Sequence, residues 1–158
     1  MERHLRSVSE AETRLIGERI GKCLTGGDIL ALVGRLGAGK TCLTQGIARG
    51  LGLREQEIVS PTYRLIHEVN GPVRLFHVDL YRISDADDLE NAGFYDAFDD
   101  DAVTIIEWAD RIPSAIPEPH LEVRLQRVND NERDITFVPH EGRDRNLVER
   151  LLKDLPEE

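Results

Sequence analysis

The residues best suited to chemistry lie in one glycine-rich stretch, Gly34-Arg35-Leu36-Gly37-Ala38-Gly39-Lys40-Thr41. It matches G-x-x-x-x-G-K-[ST], the pattern of a phosphate-binding loop. In such a loop the glycines let backbone N–H groups turn toward phosphate oxygens, and the following helix adds the positive end of its dipole. Lys40 would reach the β- and γ-phosphates, and the Thr41 hydroxyl would bind Mg²⁺. The pattern therefore predicts a nucleotide-binding site.

The segments on either side of this stretch fit the same interpretation. Ile29–Val33 is a continuous apolar run, which is typical of a buried strand. Residues 42–49 have the pattern of a helix that ends near Gly50. Strand, glycine-rich loop and helix is the context that a phosphate-binding loop requires, so an accidental match is disfavoured.

A magnesium-dependent phosphate site also needs a carboxylate, usually at the end of a neighbouring strand. Two residues compete for this role, because Asp79 ends one apolar segment and Glu107 ends another. For either residue alone, a carboxylate that simply meets water is the ordinary interpretation. We expect Glu107 to lie nearest the metal, because its strand is the more uniformly apolar. Asp79 would lie beside it, binding the metal through water or orienting the attacking water.

Two further residues near the expected site each allow two interpretations. Ser60-Pro61-Thr62 could be a switch loop whose Thr62 hydroxyl senses the γ-phosphate or Mg²⁺, but its spacing alone favours a plain turn. Trp108, the only tryptophan, follows Glu107 directly. Packing beneath the site is its default role, and anchoring a partner is the alternative.

The remaining patterns predict one three-layer α/β domain over residues 1–158, with flexible ends at 1–8 and 154–158. We expect a P-loop NTPase-like fold with a central, mostly parallel sheet and added antiparallel hairpin strands. The order of the strands does not follow from the sequence. The further predicted elements are a helix over 9–24, a hairpin of 63–69 with 73–80, a helix from 84 to about 93, a strand over 102–107, a hairpin of 121–128 with 133–138, and a helix from 143.

The composition limits the partners of the chain. A net charge of −10 over 158 residues argues against tight binding of a nucleic-acid backbone by this chain alone. No apolar run approaches the roughly 20 residues of a membrane span, and the first residues lack the apolar stretch of a signal peptide. Cys23 and Cys42 have no metal-like spacing, so we expect both to be reduced. These features favour a cytoplasmic protein without a membrane partner.

Taken together, the motifs resemble the TsaE (formerly YjeE) family, the small ATPases of bacterial tRNA threonylcarbamoyladenosine synthesis. The resemblance rests on the phosphate loop and on order and spacing from about residue 9 to residue 110. The matching segments after the loop are Ser60-Pro61-Thr62-Tyr63, His77-Val78-Asp79-Leu80-Tyr81-Arg82 and Ile106-Glu107-Trp108. The family usually has Asp where this chain has Arg35, a difference that affects local charge more than phosphate binding.

The resemblance implies a role for each matching residue. Thr41 and Glu107 would bind Mg²⁺, and Thr62 and Asp79 would join Lys40 in the catalytic set. Glu10 and Thr13 would lie near the base of ATP. Arg133 is a possible late contact to the nucleotide, although its hairpin matches the family weakly. The residues that would hold the phosphates are Gly37, Ala38, Gly39, Lys40, Thr41 and Cys42.

The resemblance also implies partners. The ATPase would dock on the TsaD–TsaB pair, which modifies the adenosine beside the tRNA anticodon, and would permit repeated turnover. It would reach tRNA only through that complex, and hydrolysis by the isolated chain would be slow. Two alternatives stay open: a small-molecule P-loop kinase, and a nucleotide switch without turnover. A GTPase is disfavoured, because the sequence has no Asn-Lys-x-Asp segment for reading guanine.

Overall fold

A computed structural model describes residues 2–35, 37–54, 65–91, 93–139, 149–151 and 153. Within these ranges the α-helices are α1 (Glu10–Cys23), α2 (Lys40–Gly50) and α3 (Ala86–Asn91). The strands are β1 (Arg3–Ser7), β2 (Ile29–Val33), β3 (Ile66–Val69), β4 (Arg74–Asp79), β5 (Ala102–Glu107), β6 (Leu121–Arg127) and β7 (Arg133–Pro139). Short 3-10 turns cover Phe94–Ala97, Ala109–Arg111 and Pro113–Ala115. No helix in the described part of the chain has the length and apolar character needed to cross a membrane.

The strands form one mixed sheet in the order β1-β7-β6-β2-β5-β4-β3. The four central strands, β6, β2, β5 and β4, are parallel to one another. The outer strands β1, β7 and β3 pair antiparallel with their neighbours. This confirms the predicted α/β fold, in which hairpin strands extend a parallel centre.

Alternating side chains of the central strands divide the core into two layers. In β2, Leu30 and Leu32 pack on the face that α1 and α2 cover. Ala31 points to the opposite face, where it joins Leu89 of α3 and Phe94 of a 3-10 turn. Since a strand directs successive side chains to opposite faces, an apolar run such as β2 is buried on both sides. The predicted three-layer arrangement is therefore present.

Most of the predicted elements match the structure closely. The side chain of Ser9 accepts a hydrogen bond from the Glu12 backbone N–H at 3.0 Å, so α1 begins with the expected cap. The helix after the glycine-rich loop begins at Lys40, two residues before the predicted start. Both hairpins, α3 and β5 also agree with the prediction. Thr62 and most of the predicted C-terminal helix lie outside the described residues.

The N-terminal segment corrects the sequence analysis. Residues 1–8 were expected to be a flexible end, yet Arg3–Ser7 forms a strand that pairs with β7. Leu5 is 8% exposed and Ser7 is fully buried, whereas the alternate residues His4 and Arg6 face outward. Only one large apolar side chain turns inward, so the local pattern carried almost no strand signal. The pairing partner lies about 130 residues away, as the bond between His4 and Thr136 illustrates.

Glycines bring α1 and α2 into backbone contact. A Cβ atom placed on Gly17 would lie 2.5 Å from the carbonyl oxygen of Leu43, and one on Gly21 would lie 2.2 Å from that of Ile47. From α2 toward α1, a Cβ atom on Gly46 would lie 2.1 Å from the carbonyl oxygen of Arg14. We call these contacts the glycine seam. It fixes α2, and with it the end of the glycine-rich loop, directly against α1.

Replacing Gly46 with alanine should destabilise the protein. In an ordinary helix this change is favourable by up to about 1 kcal/mol. Here the added methyl group would meet the Arg14 backbone, which cannot rotate away, so we expect a net loss of about 1–3 kcal/mol from overpacking. Denaturant unfolding checks this, with Arg49→Ala on the exposed face of the same helix as the control. An unfolding free energy equal to or above that of the parent protein would contradict the seam.

Candidate nucleotide-binding site

The predicted functional residues meet at one edge of the sheet. The glycine-rich loop follows β2, Asp79 ends β4 and Glu107 ends β5, and the three strands are parallel, so their carboxyl ends lie together. Glu107 is the Cα partner of both Leu32 and Asp79, because β5 lies between β2 and β4. The two competing carboxylates are thus neighbours, and Glu107 is on the strand nearer the loop.

The loop itself needs glycine at particular positions. Gly37 and Gly39 have φ angles of 81° and 102°, which lie in the left-handed region that other residues rarely adopt. Ala38 between them is 1% exposed. A Cβ atom on Gly34 would lie 2.6 Å from the carbonyl oxygen of Leu125, so the loop packs directly on β6. The sequence pattern therefore corresponds to a tightly turned, well-supported loop.

Lys40 lies at the centre of the site and is 5% exposed. Its Nζ donates hydrogen bonds to the carbonyl oxygens of Gly34 and Arg35, and it lies 3.8 Å from the centre of the Trp108 ring. Burial lowers the pKa of Lys40, and the nearby Glu107 and other carboxylates oppose this only in part. An ammonium group with so little water around it gains strongly from an anionic ligand.

The two carboxylates differ in their surroundings. Glu107 is 3% exposed, and its Oε2 is hydrogen-bonded to Nε2 of the fully buried His77. Asp79 is only partly buried, and its Oδ1 accepts a hydrogen bond from the backbone N–H of Tyr81 at 2.9 Å. Burial raises the pKa of Asp79, and the Tyr81 N–H only partly opposes the effect, while Glu107 adds to it. Asp79 is thus a carboxylate whose charge the fold disfavours.

This raised pKa gives a stability prediction for Asp79→Asn. The folded protein holds the Asp79 proton more tightly than the unfolded chain, so ionisation of this group lowers stability as pH rises through the raised pKa. We therefore expect the neutral asparagine variant to melt at a higher temperature than the parent at neutral pH. The difference should shrink at acidic pH, where both side chains are neutral. Thermal melts at the two pH values, without nucleotide or metal, check this; a lower melting temperature for the variant at neutral pH would contradict it.

Trp108 connects the lysine to the ends of β4 and β5. Its φ of 57° is the only positive value for a non-glycine residue in the described part of the chain. The ring lies 4.8 Å from that of Tyr81, centre to centre. Arg111 holds this corner by donating to the Tyr81 carbonyl oxygen at 2.6 and 3.0 Å. Such backbone strain is concentrated at functional sites, and here it places the indole against Lys40.

The residues carried over from the family resemblance have different surroundings. The carbonyl oxygen of Glu10 accepts a hydrogen bond from Cys42 Sγ at 3.4 Å, so both residues lie where α1 meets the start of α2. A Cβ atom on Gly39 would lie 3.6 Å from Arg133 Nε, so the arginine side chain lies beside the loop.

Thr13, by contrast, is 2% exposed, and its hydroxyl is hydrogen-bonded to Ser7 Oγ at 2.6 Å. These contacts give Thr13 a structural role at the junction of β1 and α1. A contact of Thr13 with the base stays a prediction.

The available donor atoms fit a magnesium ion that arrives with a nucleotide. Thr41, at the start of α2, and Glu107 offer oxygen atoms, which are the ligands that Mg²⁺ prefers. No group of three or more His, Cys, Asp or Glu side chains able to hold a metal occurs among the described residues. Magnesium commonly takes one or two protein carboxylates together with substrate phosphates, and this edge of the sheet suits that arrangement.

The sequence analysis placed His77 in a segment that matches the family but assigned it no role in the site. The residue precedes Asp79 by two positions in β4 and therefore faces the same side of the sheet. That spacing was the available signal. The contact with Glu107 could not be inferred, because it depends on the strand order, which places β4 beside β5.

The fold and the loop define the class of protein. A glycine-rich loop that joins a central parallel strand to a helix is the arrangement of P-loop nucleotide-binding proteins, and this chain has it. The family model described as "Threonylcarbamoyl adenosine biosynthesis protein TsaE" matches residues 7–135. The chain belongs to the TsaE family, as the sequence motifs predicted.

Individual relatives agree with this assignment. The tRNA threonylcarbamoyladenosine biosynthesis protein TsaE of Bacillus subtilis is 38% identical over 149 residues, covering 94% of this chain and 92% of the relative. That of Treponema pallidum is 37% identical over 132 residues, covering 84% and 97%. The crystal structure of YdiB from Bacillus subtilis superposes with a TM-score of 0.81 at 33% identity, covering 98% of this chain and 96% of the other. The structural likeness therefore extends over nearly the whole of both chains.

Proposed function

We propose that this chain is a magnesium-dependent ATPase that docks on the TsaD–TsaB pair and supports turnover in the threonylcarbamoylation of tRNA. Its family acts in tRNA threonylcarbamoyladenosine biosynthesis. The observation that carries the proposal is the position of Lys40: its ammonium group is buried at the turn of a phosphate-binding loop, with Glu107 and Asp79 beside it. A buried cation next to two carboxylates is suited to a triphosphate that brings a metal ion.

Each residue has a part in this proposal. The backbone N–H groups from Gly37 to Cys42 would bind phosphate oxygens, and Lys40 would neutralise charge on the γ-phosphate as it is transferred. Thr41 and Glu107 would hold the magnesium ion, which supplies further charge neutralisation at the phosphates. Asp79, whose raised pKa makes its ionised carboxylate a stronger base than that of an ordinary aspartate, would accept a hydrogen bond and a proton from the attacking water. Thr62 would complete the set from outside the described residues.

The proposed partners account for two general properties of the chain. With a net charge of −10, it has little means of gripping tRNA itself and would act through TsaD and TsaB in the cytoplasm. A site that needs a partner to complete it hydrolyses slowly alone. Nothing in the described residues favours the alternative of a small-molecule kinase; Arg143 and Arg145, which could serve a kinase lid, lie outside them.

Nucleotide binding can be followed through Trp108, the only tryptophan. Lys40 Nζ lies on its ring, and a triphosphate would draw the ammonium group toward the phosphates. We expect ATP with Mg²⁺ to change the tryptophan emission in a saturable way, whereas adenosine should not. Absence of a saturable change, together with absence of heat in calorimetry, would refute nucleotide binding at this loop.

Partner docking needs a separate experiment. A pull-down with the TsaD–TsaB pair, with and without ATP, should retain this chain in a nucleotide-sensitive manner. Hydrolysis should then rise when the partners are added. If ATP is instead consumed only with a small hydroxyl compound, the kinase interpretation is correct. If the chain binds the pair without any turnover, it is a nucleotide switch.

A further inference from the structure

The hydrogen bond between His77 and Glu107 joins two neighbouring strands inside the core. In the parallel register Asp79 is opposite Glu107 and His77 is opposite Ile105, so the two side chains are diagonal neighbours on one face of the sheet. His77 is fully buried and Glu107 is 3% exposed. A carboxylate so far from water needs a donor, and Nε2 of His77 provides it.

The other ring nitrogen identifies the form of the imidazole. Nδ1 of His77 is buried and has no hydrogen-bond partner among the described residues. A proton on Nδ1 would be a buried donor without an acceptor, which is costly, whereas a bare lone pair is tolerated more easily. The ionised carboxylate of Glu107 can only accept, so the proton belongs on Nε2. Nε2 of the imidazole is therefore the donor, and it is aimed at Oε2 of Glu107.

We propose that His77 is a positioning residue, which fixes the Glu107 carboxylate in the orientation that binds the nucleotide-borne metal. The inference rests on the proposed function, because it needs a metal at Glu107. Only Oε2 is engaged in the bond to His77, and the bond restrains rotation of the whole carboxylate. Groups that hold a metal ligand in this way typically contribute about 10–100-fold to metal affinity or activity.

A matched pair of variants distinguishes the loss of the hydrogen-bond donor from a change in the volume of the side chain. His77→Gln retains an N–H donor near the place of Nε2, whereas His77→Met has a similar length without a donor. We expect the affinity for Mn²⁺, measured by electron paramagnetic resonance in the presence of a non-hydrolysable ATP analogue, to fall about 10-fold or more in His77→Met. The glutamine variant should recover most of that loss. Affinity for the analogue without metal should stay within about threefold of the parent protein in both variants.

The outcomes distinguish this inference from the function on which it rests. If the parent protein binds Mn²⁺ with the analogue and both variants match it, His77 does not position the metal ligand, while the proposed function stands. If both variants lose metal affinity equally and also melt at the same lower temperature, His77 is only part of the core. If the parent binds no metal with the analogue, both proposals fail.

The parent protein alone offers a second measurement, which does not depend on whether the variants fold. Long-range ¹H–¹⁵N NMR spectra show which nitrogen of a histidine ring carries the proton. We expect His77 to carry this proton on Nε2, where it is shared with Glu107. A proton on Nδ1 in the parent would overturn the inference.

Discussion

Replacing Lys40 with alanine should lower the rate of ATP hydrolysis by at least about 10³-fold. The reason is the position of the ammonium group, which is buried at the loop and held by the carbonyl oxygens of Gly34 and Arg35. The chain has two other lysines, Lys22 and Lys153, and neither lies in the glycine-rich loop. The measurement is steady-state phosphate release with the TsaD–TsaB pair present.

The chain offers a matched control for this variant. Lys22 has the same charge, and its side chain is 66% exposed in α1, where it lies 3.7 Å from Glu18. Lys22→Ala should hydrolyse ATP at the rate of the parent protein. If Lys40→Ala retained parental turnover, the glycine-rich loop would not be the catalytic phosphate site. The tryptophan emission of Lys40→Ala should also differ from that of the parent before any ligand is added, because the contact with the Trp108 ring is lost.

Glu107→Gln is expected to lower magnesium-dependent hydrolysis by about 10²-fold or more while leaving much of the nucleotide binding intact. The amide has the size of the carboxylate, so the buried space stays filled, but it lacks the charge that attracts the metal. Rates measured over a series of Mg²⁺ concentrations should show a much weaker dependence on the metal. Tryptophan emission or calorimetry would report the remaining nucleotide binding.

Glu122→Gln is the control for the loss of one carboxylate. Glu122 lies in β6, which β2 separates from the strand of Glu107, and its carboxylate pairs with Arg124. The Glu122→Gln variant should leave the magnesium dependence of ATP hydrolysis unchanged. If Glu107→Gln also left it unchanged, the direct metal ligand would be Asp79, the neighbour of Glu107 in the sheet.

The features that could be predicted from the sequence are those that a few consecutive residues determine. The glycine-rich loop, the strand before it and the helix after it are local patterns, and each agrees with the structure. Asp79 and Glu107 could be proposed together because carboxylates at the ends of parallel strands meet at one edge. Ser9 predicted the start of α1 because capping depends on a few neighbouring residues.

The parts that escaped prediction depend on contacts between distant segments. Strand β1 has a single inward-facing large apolar residue, Leu5, and its partner is at the other end of the chain. The bond between His77 and Glu107 requires β4 beside β5, which no local pattern specifies. The role of Gly46 could not be predicted either, because its close neighbour is the backbone of Arg14 on another helix.

The glycine seam has a mechanical consequence. At the glycines the two helices touch backbone to backbone, with no side chain between them at those points to absorb a displacement, so we expect α1 and α2 to shift together as one rigid plate. Leu15 lies on the outer surface of that plate and is 48% exposed. Lys40, at the first turn of α2, is therefore tied through the seam to the position of α1.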